Sequence, residues 1–291
     1  MTARRRPANL PTNLLACGLA LLLCLTSGHA LCATHVVTQN GDAGVGSLRW
    51  AIDQANAGAA AEPQQIRFEL PPAFRQIVLS GPALLVSHPD VSIEGLATGH
   101  LSDPSRISIR STRANTDGGV LVTAPGALQL RIAHLNLGPS HRQSRQGGCV
   151  DASSLSGISA QLEIEYVYFE GCLVSTTGRT AGGAVFANGN LSLRRSGFHQ
   201  NRVESMGGDP TVGFGAFGGA VAMESGVLVV FEGVFTGNGA VARASSASVQ
   251  SRGHGGAVAY LGANNGGVLV DDGTFIDNLA GRSQCDGSLQ R

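Results

Sequence analysis

The chain contains no lysine: all 20 of its basic residues are arginine. That excludes a lysine general base, a Schiff-base lysine and the phosphate-binding lysine of a P-loop. Charged residues are only 14% of the chain and cancel, 20 acidic against 20 basic. A neutral chain without a basic stripe is not built for nucleic acid as its main partner. Aromatic residues are 5%, with Trp50 the only tryptophan. After Leu25 no apolar run approaches the roughly 20 residues that a membrane-spanning helix needs. Glycine is abundant instead: 41 of 291 residues, about twice the usual share of roughly 7%. Little charge, few aromatics and much glycine point away from a helical protein and towards short strands joined by tight turns.

The first 33 residues read as a secretory signal peptide. Arg4, Arg5 and Arg6 form a basic start and Leu14 to Leu25 is an apolar stretch of 12 residues. Small residues follow, with cleavage expected after Ala30 or Ala33. Twelve residues are too few to cross about 30 Å of hydrocarbon. The mature chain is therefore expected outside the cytoplasm, with no transmembrane segment, in a compartment that permits disulfides. Cys149, Cys172 and Cys285 stay with it.

Residues 34–62 are expected to form an N-terminal cap. His35 to Thr38 reads as a strand, Asn40-Gly41-Asp42 as a turn, and Ser47 as the cap of a helix beginning at Leu48. Leu48, Ala51, Ile52 and Ala55 share one helical face, which must lie on something. From Pro63 the apolar period changes to two: Ile66, Phe68 and Leu70; Ile77 and Leu79; Val91 and Ile93; Ile107 and Ile109; Leu128, Leu130 and Ile132; Leu135 and Leu137. Each run is bounded by Gly, Pro, Asp or Ser. Strands without crossover helices suggest an antiparallel sandwich or a coiled β-solenoid.

A repeat separates these two. "GGAVFANGNLSLRRSGFHQN" at 182 returns at 218 and again at 255, and a degenerate copy begins with "GGCV" at 147. The spacing is 35, 36 and 37 residues, which is the mark of a solenoid whose units pack only on their neighbours. Residues 63–281 are assigned to it, with 282–291 as a tail. The pairs Gly182-Gly183, Gly218-Gly219 and Gly255-Gly256 mark corners that a Cβ would block. Phe198, Phe235 and Phe275 are expected to stack inside. Asn201, Asn238 and Asn278 are expected to turn the chain at positive φ and to form a ladder.

The segment "VTQNGDAGVGSLRWAIDQANA" resembles the N-terminal segment of secreted bacterial β-helix proteins of the CSLREA type. The GGA…F-x-x-N phrase resembles the repeat of chlamydial polymorphic outer membrane proteins. The resemblance covers residues 34–280. It implies an all-β, right-handed parallel β-helix with a short capping helix, and a secreted or cell-surface bacterial protein of adhesive type. The polymorphic members end in a membrane β-barrel, and no such segment is expected within residues 34–291.

Catalytic constellations are thin. "GHG" at 253–255 and Asp271-Asp272 resemble fragments of polygalacturonase motifs, but in reversed order. Adjacent residues on a strand face opposite ways, so the aspartates do not make a shared acid–base pair. Glu163 and Glu165 share a face but are too few for calcium, and the eight histidines show no metal-ligand spacing. No catalytic residue, metal or cofactor is assigned. Cys149 and Cys172 occupy the Ala and Asn slots of the degenerate repeat. They form either a disulfide, if their Cα atoms lie within about 7 Å, or two separate buried thiols.

The stretches 138–146, 173–181, 202–217 and 239–254 fall at one register of the repeat. They are expected as loops on one face, which is where solenoids bind. Arg142, Arg145, Arg179, Arg202, Arg243 and Arg252 lie in them and suit carboxylates or sulfates of acidic glycans. The expected protein is a monomer that contacts a host or neighbouring-cell surface without catalysis. The alternatives are a polysaccharide lyase or glycoside hydrolase of the pectin-lyase-like type, and a structural spacer.

Overall fold

The computed structural model describes residues 32–290 apart from 99, 113, 116–117, 158, 207–214, 244–251, 263–265 and 284–288. The expected signal peptide falls almost wholly outside the described residues, as do Cys285 and most of the tail. The described chain is a parallel β-helix with one α-helix at its N-terminal end. Every strand pairing is parallel except that of 282–283 with 289–290. No described helix is long and apolar enough to cross a membrane.

Successive coils add strands to the same sheets in the same order, although the first coils skip some of them. The first sheet stacks 33–37, 64–68, 90–94, 129–133, 161–165, 190–194, 227–231 and 267–271. Its register aligns Leu130, Leu162, Leu191, Leu228 and Val268 in one inward column, and Ile132, Ile164, Leu193, Val230 and Val270 in another. Alternation sends these side chains into the core and their neighbours outward. Leu128, by contrast, precedes its strand and is exposed. The second sheet aligns Leu137, Phe169, Phe198, Phe235 and Phe275. Successive phenylalanine rings stack at 4.7–4.8 Å with planes within 4°. Each buried ring contributes about 1.5–3 kcal/mol of apolar burial. A third sheet (140–142, 172–176, 202–206, 239–243 and 279–283 among its strands), a short fifth sheet (180–181, 215–217, 252–254) and a fourth (84–86 to 258–260) complete the coil.

Three of the corners between sheets recur in the same form from coil to coil. Between first and second sheets, His134, Tyr166, Arg195, Glu232 and Asp272 all have φ of 46–57°. None of these five is a glycine, although Gly233 and Gly273 follow two of them within the corner. Between second and third sheets, Gly138, Gly171, Gln200, Gly237 and Asp277 take positive φ. The asparagine that follows does not, which corrects the expectation for Asn201, Asn238 and Asn278. Their work is done by the side chain. Asn238 Nδ2 donates to the Phe198 carbonyl at 3.0 Å and to Asn278 Oδ1 at 2.8 Å. Asn201 Nδ2 donates likewise to the Phe169 carbonyl and to Asn238 Oδ1. Asn201 and Asn238 are completely buried, so these bonds satisfy groups that water cannot reach.

At the third corner, Gly147, Gly182, Gly218 and Gly255 have φ of 61–68°. The glycine after each is needed for a different reason. A Cβ on Gly148, Gly183 or Gly219 would lie 2.0 Å from the carbonyl oxygen of the equivalent glycine one coil on. The coils touch there backbone to backbone.

Cys149 and Cys172 are joined by a disulfide with Cα atoms 5.5 Å apart. Both are fully buried. Cys172 stands on the coil after that of Cys149, because its register partner is Ser140, whose hydroxyl lies 3.1 Å from the Cys149 sulfur. The bond therefore links two successive coils through the core. The Cys172 N–H donates to Asn201 Oδ1 at 3.0 Å, so Cys172 is the end member of the asparagine ladder.

The helix Leu48–Asn56 closes the N-terminal end. Ser47 Oγ accepts from the Trp50 N–H at 3.2 Å, and Leu48, Ala51, Ile52 and Ala55 are buried. Asp42 ties this cap to the next coil. Its carboxylate accepts from Arg49 at 2.7 Å, from the Gly81 N–H at 2.6 Å and from the Ser80 N–H at 3.0 Å. Burial raises the Asp42 pKa, but Arg49 and the two amides outweigh it and hold the carboxyl below its ordinary value. In the last described coil the columns end exposed: Val268, Val270 and Phe275 are 46%, 42% and 46% accessible.

Candidate functional site

The stretches read from the sequence as loops on one face are in large part strands. They leave the third sheet and return through the fifth, and 207–214 and 244–251 lie outside the described residues. The six arginines consequently have different surroundings. Arg142 is not available to a ligand. Its Nη1 is 2.6 Å from Asp151 Oδ2 and 3.2 Å from the Gln146 carbonyl, and the side chains of the pair are 11% and 7% accessible. It clamps the excursion that leads into the Gly147-Gly148 corner. Arg202 and Arg243 share Glu204, at 2.7 and 3.4 Å, on the outer side of the third sheet. Arg252 is exposed on the fifth sheet, in register with Gly215.

Arg145 and Arg179 come together. With Gln146, Phe186, Glu224 and Leu261 they line a depression of about 170 Å³. Arg179 is 4.0 Å from Glu224, and both are about half accessible, so water screens this pair to a small energy. The Arg179 guanidinium also lies 5.6 Å from the Phe217 ring, which stacks on His254 at 5.2 Å. Two guanidinium groups against one distant carboxylate leave the depression positive and open.

The carboxylates singled out from the sequence do not converge among the described residues. Arg131 reaches Glu165 at 2.8 Å and Glu163 at 4.0 Å, and Gln161 donates to Glu163 at 2.7 Å. Asp271 ends a strand and Asp272 is the corner residue at φ 55°, so the two are not neighbours on one strand. Among the described residues no three of His, Cys, Asp and Glu gather as a metal site would require.

A larger groove of about 430 Å³, which no motif announces, lies on the outer side of the second sheet. It is lined by His100, Leu101, Ser102, Tyr168, Gly197, Phe198, His199, Val234 and Thr236. One wall comes from residues 100–102, part of the connection between the strands Asp90–Glu94 and Ile107–Ser111, where the later coils need only a tight corner. Arg106 lies beneath this wall, 1% accessible. Its Nη1 donates to the Leu101 carbonyl at 2.9 Å, while Nε and Nη2 have no partner among the described residues. Burial lowers the Arg106 pKa, with Asp103 opposing. Burial, then Arg106, lowers that of His134. Burial, then Glu170, raises the Tyr168 phenol above its ordinary value, so it is a neutral donor at physiological pH. No sequence signal marks the groove, because its residues come from four coils and only the register brings them together.

Neither the protein-family models nor the curated proteins contain a match to the chain.

Proposed function

We propose that this is an exported bacterial protein, secreted or held at the cell surface. It contacts acidic glycans of a host or neighbouring cell without cleaving them. The likeness to CSLREA-type and polymorphic-outer-membrane-type β-helix proteins belongs to this proposal. One observation supports it most: Arg145 and Arg179 flank an open depression with a single weakly held carboxylate. Guanidinium forks match carboxylate and sulfate oxygens. Arg202 and Arg243, two charges on one glutamate, add positive potential on a neighbouring surface.

The test is calorimetric titration with polygalacturonate and with a sulfated oligosaccharide, with product analysis in the same samples. Saturable binding that weakens with salt, falls at least tenfold in Arg145→Ala/Arg179→Ala and releases no shortened chains is expected. Binding unaffected by that double substitution would remove the arginine site. Chain shortening by the purified protein would replace this reading with a lyase or hydrolase.

A further inference from the structure

We propose that the groove over the second sheet is a separate binding site for a neutral pyranose-containing glycan, with Tyr168 as its platform. This goes beyond the acidic-glycan reading and uses none of its residues.

The floor is shaped by a missing side chain. The outward column of the second sheet reads Asn136, Tyr168, Gly197, Val234 and Thr274. A Cβ on Gly197 would meet Tyr168 Cδ2 at 2.8 Å and Leu101 Cδ1 at 3.9 Å. The Tyr168 ring therefore lies down over the Gly197 backbone instead of standing off the sheet. Its neighbour His199 holds a nearly parallel ring, 16° away with centroids 6.4 Å apart. Flat aromatic surface of this kind receives the C–H face of a sugar ring, which is apolar, while the hydroxyls around that ring point sideways.

The wall is held in place before any ligand arrives. Asn136 Nδ2 donates to the Asp103 carbonyl at 3.2 Å, Arg75 Nη1 to the Ser105 carbonyl at 2.8 Å, and Arg106 Nη1 to the Leu101 carbonyl at 2.9 Å. Burying a guanidinium with two nitrogens unsatisfied is costly. Here it fixes the backbone that presents His100, Leu101 and Ser102 to the groove. Fixing the wall in advance removes an ordering cost from binding.

The lining selects the ligand class. It contains no Asp, Glu, Lys or Arg, so no permanently charged side chain there answers an ionic ligand. Hydrogen-bonding groups stand at the edges: Ser102 Oγ and His100 Nδ1, 3.2 Å apart, with Tyr168, His199 and Thr236. Apolar floor with hydrogen-bonding groups around it is the complement of a pyranose. A peptide strand finds no purchase by backbone pairing, because Tyr168 and Gly197 sit on strands already hydrogen-bonded on both sides. The volume falls within the roughly 300–1,000 Å³ usual for small-ligand sites.

Saturation-transfer NMR of the folded protein with neutral glucan, xylan, galactan and mannan hexasaccharides tests this. Transfer strongest to C–H protons of one sugar face is expected for at least one of them. Tyr168→Ala should weaken that binding at least tenfold and Tyr168→Phe far less. Gly197→Val, which displaces the ring, should weaken it as Tyr168→Ala does. His199→Ala serves if either fails to fold, and Arg145→Ala/Arg179→Ala should leave the binding unchanged. Absence of transfer from all four at millimolar concentration overturns the proposal. So does binding that survives in folded Tyr168→Ala, or binding of a tyrosine-rich peptide in place of any sugar.

Discussion

Asn238 Oδ1 accepts two hydrogen bonds from Asn201, one from its backbone N–H and one from its side-chain Nδ2, each 3.0 Å long. One side-chain oxygen thus completes the backbone of the preceding coil and the next side chain of the ladder. In a dry core, Asn238→Ala would strand the Asn201 N–H, take one of two acceptors from the Asn201 side-chain amide and remove a donor from the Phe198 carbonyl. Each such loss costs about 1–3 kcal/mol, so denaturant unfolding should show a loss of about 3–5 kcal/mol. Asp, which keeps the acceptor but not the donor, should not restore wild-type stability. A loss under about 1 kcal/mol would mean that water enters the ladder.

Two glycines of one coil should respond very differently to alanine. Gly237 has φ 65° but its nearest atom to a new Cβ is Gln200 Cγ at 3.6 Å. Gln200 and Asp277 hold the same conformation in flanking coils, and Gly237→Ala should cost about 1–2 kcal/mol. Gly219→Ala would drive a Cβ to 2.0 Å from the Gly256 carbonyl oxygen. Neither backbone can retreat without breaking its sheet. A loss above about 4 kcal/mol, or no soluble protein, is expected. Comparable melting temperatures for the two variants would show that the coils can separate locally.

The repeat supplies its own control for the disulfide. Cys149→Ala with Cys172→Asn writes the regular phrase into the degenerate unit, and the new asparagine would extend the ladder by one rung. The double variant should fold without reductant. It should lose up to about 3 kcal/mol, the chain-entropy value for a cross-link spanning 23 residues, less whatever the new rung returns. Cys172→Ala alone, with no side chain to extend the ladder, should be the less stable of the two. The opposite order in chemical denaturation would show that the slot does not accept asparagine.

Asp42 makes the cap acid-sensitive. Its folded pKa lies below the ordinary value, so the unfolded chain takes up the proton more readily. The stabilisation it gives is complete above about pH 4, the unfolded value, and is lost as pH falls through the lower folded value. Urea unfolding between pH 6 and pH 2 should show this acid limb in wild type and a shallower one in Asp42→Asn. At neutral pH that variant should be less stable by about 2 kcal/mol. Identical acid limbs would remove Asp42 from the account.

Much of this architecture could be read from the sequence, and the reasons are local. Gly-Gly, the buried Phe and the Asn each meet a demand that few other residues satisfy, so they recur and show the coil. The first corner shows the reverse. His134, Tyr166, Arg195, Glu232 and Asp272 share one conformation with no chemistry in common, because their side chains leave the backbone free and point outward. They interact only with the coil above or below: Tyr166 stacks on His134 at 5.1 Å, and Arg195 binds Glu232 at 2.6 Å. The arginine-bearing stretches misled for a related reason. Their Ser, Thr and Gly content reads as loop, yet stacking against the same stretch one coil on makes strands of them. It also makes Arg142 a structural ion pair. The groove has residues from 100, 168, 199 and 236, whose proximity is a property of register and of one unrepeated excursion.

The hydrogen bonds of all the sheets run from coil to coil, along the direction in which the coils are stacked. Tension applied in that direction loads the contacts between coils in series, and the weakest contact decides when the protein yields. The Cys149–Cys172 bond takes one such contact out of the series in an oxidising environment. Extension under force would then have to begin at another coil boundary, and the coils on either side of the cross-link would come away as a pair.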